Sequence, residues 1–153
     1  MIKVSVFSEE KAWAKKLRNK ELFFKKICKA FPKKYKFPNK KISLSLLLCY
    51  NKKIKKLNKH FRNKDKSTDI LSFRFNNKIK ILKNTYLGDI IISYNYLNKP
   101  KSQDLVSFKQ KVIKIFIHGF LHLLGFNHIK NKDYSKMLKE ENLLFNSIKS
   151  KIN

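Results

Sequence analysis

The sequence predicts one α+β domain over residues 1–153, in which a mixed four-stranded sheet is packed with about four to five helices. Four short segments alternate apolar with polar residues or are rich in β-branched residues, which is typical of strands. Four longer segments repeat apolar residues at helical spacing. The third of these helices is apolar nearly all round in its second half, so we expect it to be the buried central helix.

The N-terminal segment predicts a strand followed by a long helix. Residues 2–7 alternate and contain β-branched residues, which indicates a strand. Ser8 followed by Glu9 and Glu10 indicates a helix start, because serine caps free backbone amides and acids stabilise the first turn. An apolar stripe continues from there to Pro32, which cannot continue a helix, so a single helix is predicted across this segment.

The middle of the chain predicts the other three strands and a short helix. Residues 42–49 place isoleucine and leucine at alternate positions and therefore predict a strand. Apolar residues at helical spacing predict a helix over about residues 52–62, and a polar loop follows to residue 67. The last two strands are predicted over residues 70–75 and 87–94, with turn material at Asn76, Asn77, Asn84 and Thr85.

Two helices complete the prediction. Pro100 and Ser102 open a long helix, which has Asp104 in its first turn and runs to about residue 124. A last amphipathic helix is predicted over about residues 133–149. The longest apolar run is interrupted by histidines and is too short to span a bilayer. The first residues show no apolar core of a signal peptide, and we expect a cytoplasmic protein that does not enter a membrane.

Basic residues dominate the composition. There are 37 Lys and Arg against 10 Asp and Glu, which gives a formal net charge of +27. This charge favours a polyanionic partner, since phosphate backbones attract basic surfaces. All but three of the basic residues are lysine, and asparagine, isoleucine and phenylalanine are also frequent. Their codons are AT-rich, so codon bias alone would raise lysine, and the charge indicates no particular binding face.

Three of the four histidines lie in one short stretch. His118 and His122 are four residues apart, so on a helix they lie one turn apart on the same face and can share a metal ion. His128 would point away from them if the helix continued. Gly125 is a natural helix stop, because glycine adopts the left-handed conformation at little cost, and the chain can then fold back. Three histidines with an open fourth position are typical of catalytic zinc, whereas structural zinc usually has four protein ligands.

Two other interpretations of these histidines compete with the metal site. A histidine pair four apart on an apolar helix is often part of a core, but the third histidine after a glycine favours the metal. The same spacing occurs in metzincin proteases, which need a glutamate directly after the first histidine as general base. This chain has Gly119 there, which disfavours proteolysis. We interpret Gly119 as a close-packing position beside the metal; a tolerated small residue is the alternative.

The histidine stretch resembles the motif H-G-x-L-H-L-x-G-Y-D-H of the YbeY family, bacterial endoribonucleases of ribosomal RNA maturation. Residues 57–73 resemble that family's L-N-x-x-Y-R-x-K-D-K-P-T-D-V-L-S-F, and residues 87–92 resemble its L-G-D-I-x-I. The three blocks lie in the family's order. Three departures from the pattern stand out: Ser67 and Arg74 stand where it usually has proline, and Asn127 stands where it usually has aspartate.

The resemblance implies the same α+β fold, with a zincin-like central helix that carries the metal-binding histidines. It also implies that Arg62 faces the metal and binds the scissile phosphate as a catalytic and substrate-binding residue. A planar guanidinium can hold a phosphate by two hydrogen bonds, which lysine cannot imitate. The alternative is an arginine that caps carbonyl groups at the end of its own helix. Asn127 cannot titrate as an aspartate does, so hydrogen-bond support for the site is expected to be weaker.

The residues around Arg62 are given supporting roles. Lys64 and Lys66 are expected to bind substrate by steering a flexible single strand toward the site. A polar turn formed by Thr68, Asp69 and Ser72 is expected to open the third strand and hold the Arg62 loop. Asp89 is interpreted either as an acceptor for a ligand histidine or as a plain strand-end aspartate. The family pattern has no histidine at the position of His60, so the resemblance implies a surface residue there. Cys28 and Cys49 have no partner at metal-ligand spacing, so we expect buried reduced thiols.

With the resemblance, the leading function is a single-strand-specific, zinc-dependent endoribonuclease in 3′-end maturation of 16S ribosomal RNA and in ribosome quality control. One Zn²⁺ per chain would be held by the three histidines and a water, and zinc-bound hydroxide would attack the phosphodiester. The expected partners are single-stranded or ribosomal RNA and ribosome or small-subunit assembly proteins, without DNA. The rival function is a zinc-stabilised RNA- or ribosome-binding assembly factor without turnover.

Overall fold

A computed structural model describes residues 1–8 and 11–152, and it confirms the predicted α+β class. Four strands form one sheet: β1 Ile2–Ser8, β2 Lys41–Cys49, β3 Ile70–Arg74 and β4 Asn84–Ser93. Six α-helices occur within the described ranges: α1 Lys11–Lys16, α2 Lys20–Lys29, α3 Asn51–Arg62, α4 Tyr94–Leu97, α5 Leu105–Leu123 and α6 Asn131–Ile152. None of these helices combines the length and apolarity that crossing a membrane requires.

The sheet is mixed, and its strand order is β1-β2-β4-β3. β1 pairs with β2 and β2 pairs with β4 in parallel, whereas β3 pairs with β4 in the antiparallel sense and forms one edge. Gly88 lies where the β2–β4 register shifts, and its φ is +139°. A Cβ at this position would lie 2.0 Å from the carbonyl oxygen of Phe73 on β3, so only glycine lets β3 and β4 approach each other here.

The long helix α5 is the buried central helix that the sequence predicts. Phe108, Val112, Phe116 and Phe120 on this helix are each fully buried. Gly119 lets α5 approach the sheet, because a Cβ there would lie 2.7 Å from Ile70 Cδ1 and 3.2 Å from Ile90 Cγ2. The interpretation of this glycine as a close-packing position is therefore confirmed.

The N-terminal helix is two helices instead of the single one predicted. α1 ends at Lys16 and α2 begins at Lys20, with Asn19 as its N-cap. The Asn19 Oδ1 atom accepts a hydrogen bond from the Leu22 amide at 3.0 Å, which makes a new helix start favourable at this point. The predicted helix start includes Glu9 and Glu10, which lie outside the described residues.

Two element starts and one additional helix also differ from the prediction. α5 begins at Leu105 because Asp104 is its N-cap and accepts from the Ser107 amide at 2.7 Å. The asparagine and threonine at 84 and 85 belong to β4, since their backbone pairs with β2. A short helix, Tyr94–Leu97, follows β4 directly.

Both cysteines are buried as predicted, and burial raises the pKa of the Cys28 thiol to about 12.

Candidate metal centre and adjoining cavity

The three predicted histidine ligands converge. His118 and His122 lie one turn apart near the end of α5, and His128 follows that helix. One ring nitrogen from each of the three lies within 4.8 Å of the others, and the Nε2 atoms of His118 and His122 are 3.0 Å apart. A single metal ion can contact all three rings at this separation, because zinc–nitrogen bonds of about 2.0–2.1 Å place tetrahedral ligand atoms roughly 3.3 Å apart.

Gly125 ends α5 as predicted and brings the chain back. Its φ is +97°, in the left-handed region. The Gly125 amide donates to the His122 carbonyl at 3.0 Å, and the Phe126 amide donates to the Leu121 carbonyl at 3.0 Å. These two bonds form a Schellman motif, which satisfies carbonyl groups that a helix end leaves free. The same turn places the Phe126 carbonyl oxygen 2.9 Å from His122 Nδ1, so it also orients that ring.

Glu141 holds the other helical histidine. Its Oε1 atom on α6 lies 2.6 Å from His118 Nδ1. A carboxylate in this position fixes the ring and its tautomer and raises the basicity of the nitrogen that faces a metal. The sequence analysis assigned such a role, as one of two alternatives, to Asp89. The structure places Asp89 elsewhere, where its carboxylate accepts from the Tyr86 hydroxyl at 2.5 Å.

The hydrogen bonds of the two helical histidines match a metal-binding site. Since the Phe126 carbonyl can only accept, His122 Nδ1 carries a proton, and the Glu141 carboxylate likewise favours a proton on His118 Nδ1. Both Nε2 atoms are then lone-pair acceptors that face each other at 3.0 Å. Two lone pairs at this distance repel unless a cation lies between them, so the donor set fits a metal ion.

Burial is the largest cause, and the neighbouring His118 ring the next, of a His122 pKa that is lowered to about 4. Smaller contributions in the same direction come from His128 and from Arg62, while the hydrogen bond to Phe126 opposes them. The ring therefore stays neutral well below neutral pH. A neutral imidazole keeps the lone pair that metal binding needs.

A cavity of about 520 Å³ opens beside the histidines. Its lining includes Arg62, Ser72, Arg74 and all three histidines. Arg62 donates to the Ser72 carbonyl oxygen on β3 at 3.1 Å, and its guanidinium lies 5.3 Å from the centre of the Phe73 ring. The guanidinium therefore does not cap its own helix. The backbone of Asn63, in the left-handed conformation, ends α3 instead.

The structure does not bring Lys64 and Lys66 into this cavity. Both side chains are exposed, in the loop between α3 and β3. Their backbone is tied to Asn58, whose carbonyl accepts from the Lys64 amide and whose side-chain amide donates to the Lys66 carbonyl. His60 is exposed, as predicted.

The polar turn before β3 has the structural role that the sequence predicts. Asp69 Oδ1 accepts from the Ile70 amide at 2.8 Å and from the Thr68 hydroxyl at 3.2 Å. The Asp69 carbonyl accepts from the Ser93 amide at 2.9 Å, which ties the turn to β4. Ser72 receives Arg62 through its carbonyl, so the turn and the strand together hold this arginine at the cavity.

Two functional candidates were missed by sequence reasoning. Glu141 gave no local signal, because it is 23 residues from the histidine that it contacts. Arg74 was noted only as a departure from the family pattern, yet its Nη1 atom lies 3.8 Å from the position that a Cβ on Gly125 would take. Its rarity was the available signal, since the chain has only three arginines.

Fold and site together define an α+β protein with three histidines, at and after the end of its central helix, that are positioned to hold a metal ion beside an arginine-lined cavity. The family model described as Endoribonuclease YbeY matches residues 6–149. The chain therefore belongs to the YbeY family, as the three sequence blocks indicated.

Individual relatives agree with this assignment. A protein from Pelagibacter ubique (strain HTCC1062), described as an endoribonuclease YbeY, is 59% identical over 152 residues, which are 99% of this chain and 99% of the relative. One from Sulfurihydrogenibium sp. (strain YO3AOP1), with the same description, is 34% identical over 128 residues, which are 80% of this chain and 84% of the relative. The solution structure of a Thermotoga maritima protein has a TM-score of 0.55 at 21% identity, over 97% of this chain and 89% of that one, and supports the fold alone.

Proposed function

We propose that this protein is a zinc-dependent endoribonuclease that cleaves single-stranded RNA in 3′-end maturation of 16S ribosomal RNA and in ribosome quality control. The observation that carries the proposal is the meeting of three histidines and Arg62 in one cavity. Metal ligands beside a phosphate-binding group are one arrangement that can hydrolyse a phosphodiester, because the metal activates water and the cation stabilises charge on the phosphate. The descriptions of the relatives as endoribonucleases support RNA as the substrate.

His118, His122 and His128 would hold the zinc, and three protein ligands leave one coordination position for water or substrate. Zinc at such a site lowers the pKa of a bound water toward about 7 and polarises a phosphoryl oxygen. Glu141 and the Phe126 carbonyl keep two of the rings in the orientation and tautomer that this binding needs.

Arg62 would bind the scissile phosphate. Its guanidinium has five N–H donors, and one of them is used by the Ser72 carbonyl. The remaining donors can approach two phosphate oxygens in a planar pair. Negative charge grows on these oxygens as the phosphodiester is attacked, so Arg62 stabilises the transition state more than the bound substrate.

The exposed lysines would contribute charge to RNA binding without reading its sequence. Lys64 and Lys66 lie in the loop that directly follows Arg62. The net charge of +27 attracts RNA to the whole protein. Phosphate contacts of this kind position a strand but carry no base information. The expected partners are ribosomal RNA and the small-subunit particle that carries it, and the expected compartment is the cytoplasm.

Cleavage of a single-stranded oligoribonucleotide, measured with metal analysis on the same samples, tests the proposal. The wild-type protein should cleave, lose activity after chelation and regain it with Zn²⁺. His122→Ala should lose both metal and cleavage, while His60→Ala, which removes the exposed fourth histidine, should keep both. RNA binding by the wild type without cleavage under any divalent metal would favour the non-catalytic assembly factor.

A further inference from the structure

Two of the three arginines line the same cavity. Arg62 reaches it from the end of α3, and Arg74 reaches it from the end of β3. The third, Arg18, lies exposed in the turn between α1 and α2 and does not line the cavity. Lysine is the default basic residue of this composition, so a pair of arginines at one cavity points to a need for planar, bidentate donors.

The two guanidiniums are held differently. Arg62 is tied to the Ser72 carbonyl and lies over Phe73. Arg74 lies two residues beyond Ser72 on β3, and two residues of a strand span about 7 Å. Within residues 1–8 and 11–152, no hydrogen bond or ion pair holds the Arg74 side chain. Its donors are therefore available to a ligand in the cavity.

The charge of the cavity also favours an anion near Arg74. Among the lining residues the structure describes, Asp69 is the one carboxylate, and its Oδ1 atom already accepts two hydrogen bonds at the start of β3. The Arg74 side chain instead borders Gly125 and the turn that orients His122. A bound metal would add further positive charge, so this end of the cavity suits a polyanion.

We propose that Arg74 binds a second RNA phosphate, next to the phosphate that Arg62 and the metal would engage. This inference rests on the proposed function and adds a requirement to it, namely that the substrate spans at least two consecutive phosphodiesters. Proline, which is usual at this position in the family pattern, has no donor and could not make the contact. Arg74 thus selects an oligonucleotide over a dinucleotide.

Equilibrium binding of two unlabelled RNAs, each competing against a fluorescent oligoribonucleotide, tests the inference. One is a dinucleotide with a single phosphodiester, and the other is a tetranucleotide with three. Arg74→Gln should raise the Kd of the tetranucleotide about tenfold and leave that of the dinucleotide unchanged. The slope of log K against log salt is negative, and for the tetranucleotide its magnitude should decrease by about 0.7, the value for one phosphate contact to a single strand. Arg18→Gln removes the same charge elsewhere and should change neither affinity.

A second variant guards against a folding defect. Arg74→Lys keeps the charge and loses the planar pair of donors, so it should keep the salt slope but bind the tetranucleotide severalfold more weakly. Equal behaviour of the Arg74 and Arg18 variants, or equal weakening of both RNAs, would overturn the inference. So would unchanged tetranucleotide affinity in Arg74→Lys if Arg74→Gln did not fold.

The outcome separates this inference from the proposed function. Wild-type protein that binds the tetranucleotide through Arg74 but never cleaves RNA would refute the endoribonuclease and keep the phosphate site. Wild-type protein that cleaves RNA while Arg74→Gln binds like Arg18→Gln would refute the phosphate site alone. A wild type with no affinity for either RNA would refute both.

Discussion

The two sides of the cavity are supported very differently. On the histidine side, Glu141 holds His118 and the Phe126 carbonyl holds His122. Both histidines lie on α5, the buried central helix. On the arginine side, Arg62 donates one hydrogen bond to a backbone carbonyl of the edge strand β3, and Arg74 lies at the end of that strand. The histidine side is thus organised before any ligand arrives, whereas the arginine side can adjust to a flexible strand. Changes on the first side should remove the metal, and changes on the second should affect only the substrate.

The largest effect is expected from His122→Ala. Removing one of three protein ligands should abolish binding of one metal per chain, because two histidines alone form a weak site. Elemental analysis after dialysis would measure the metal content, and His60→Ala provides a control that removes an exposed histidine. Full metal content in His122→Ala would show that the converging rings are not the metal site.

Arg62→Lys tests the arginine side. The change keeps the charge but removes the planar fork, so turnover should fall by about 10²–10³, as it does when one donor to a developing oxyanion is lost. RNA affinity should fall far less than turnover, at most severalfold, since many lysines share ground-state binding. Single-turnover cleavage and equilibrium binding of one oligonucleotide would measure the two effects.

The contrast between these two measurements decides what Arg62 does. Arg18→Lys serves as the control, since Arg18 lies in the turn before α2 and does not line the cavity. Metal content should stay at the wild-type value in both variants. Equal losses of turnover and affinity in Arg62→Lys would make Arg62 a binding residue instead of a transition-state residue.

Sequence rules predicted the histidine side better than the arginine side because its signals are local. A spacing of four residues and a glycine stop suffice to predict that three histidines meet. Glu141 escaped prediction since its contact crosses from α6 to α5, 23 residues along the chain. Arg74 escaped because the end of β3 meets the turn after α5 only in the folded chain.

The same distinction explains the errors in the fold. The apolar stripe that predicted one N-terminal helix continues across the break, with Trp13, Leu17 and Phe24 all buried. The break itself is set by the Asn19 cap, a local competitor that the stripe concealed. Strand β4 starts before its apolar run because pairing with β2 holds polar residues in the sheet.

Glu141→Gln tests how far α6 supports the metal. Glutamine can still accept a hydrogen bond from His118 but carries no negative charge, so metal affinity should fall by about 10–100-fold. Competition with a chelator of known affinity would measure this loss. Glu21→Gln, on the first turn of α2, is the matched control and should leave the affinity unchanged. Equal affinities in wild type and Glu141→Gln would assign the contact to helix packing alone.

The low pKa of His122 predicts how the metal-free protein responds to pH. Its folded pKa of about 4 lies below the ordinary value near 6.5, so the unfolded chain binds more protons between these two pH values. The free energy of unfolding should therefore fall as the pH drops from about 6.5 to about 4, and this contribution should not change further below pH 4. Urea unfolding of wild type and His122→Gln at several pH values would isolate the effect. A wild type and variant that lose stability in parallel would contradict it.

The smallest effect is expected from Lys64→Gln combined with Lys66→Gln. Both side chains are exposed and lie outside the cavity, so they can steer a strand but cannot fix the scissile phosphate. Each lost phosphate contact lowers the salt slope of single-strand binding by about 0.7. Turnover at saturating RNA should be unchanged, since uniform binding does not raise kcat.

The control for this pair is Lys25→Gln combined with Lys26→Gln, on α2 beside β1, at the opposite edge of the sheet from β3. If the Lys64 loop steers RNA, its pair should lower the association rate at low salt more than the α2 pair does, and high salt should remove the difference. Equal effects of the two pairs would mean that the net charge attracts RNA without directing it to the loop. That result would leave Arg62 and Arg74 as the residues that place the strand, and it would support codon bias as the origin of the lysine excess.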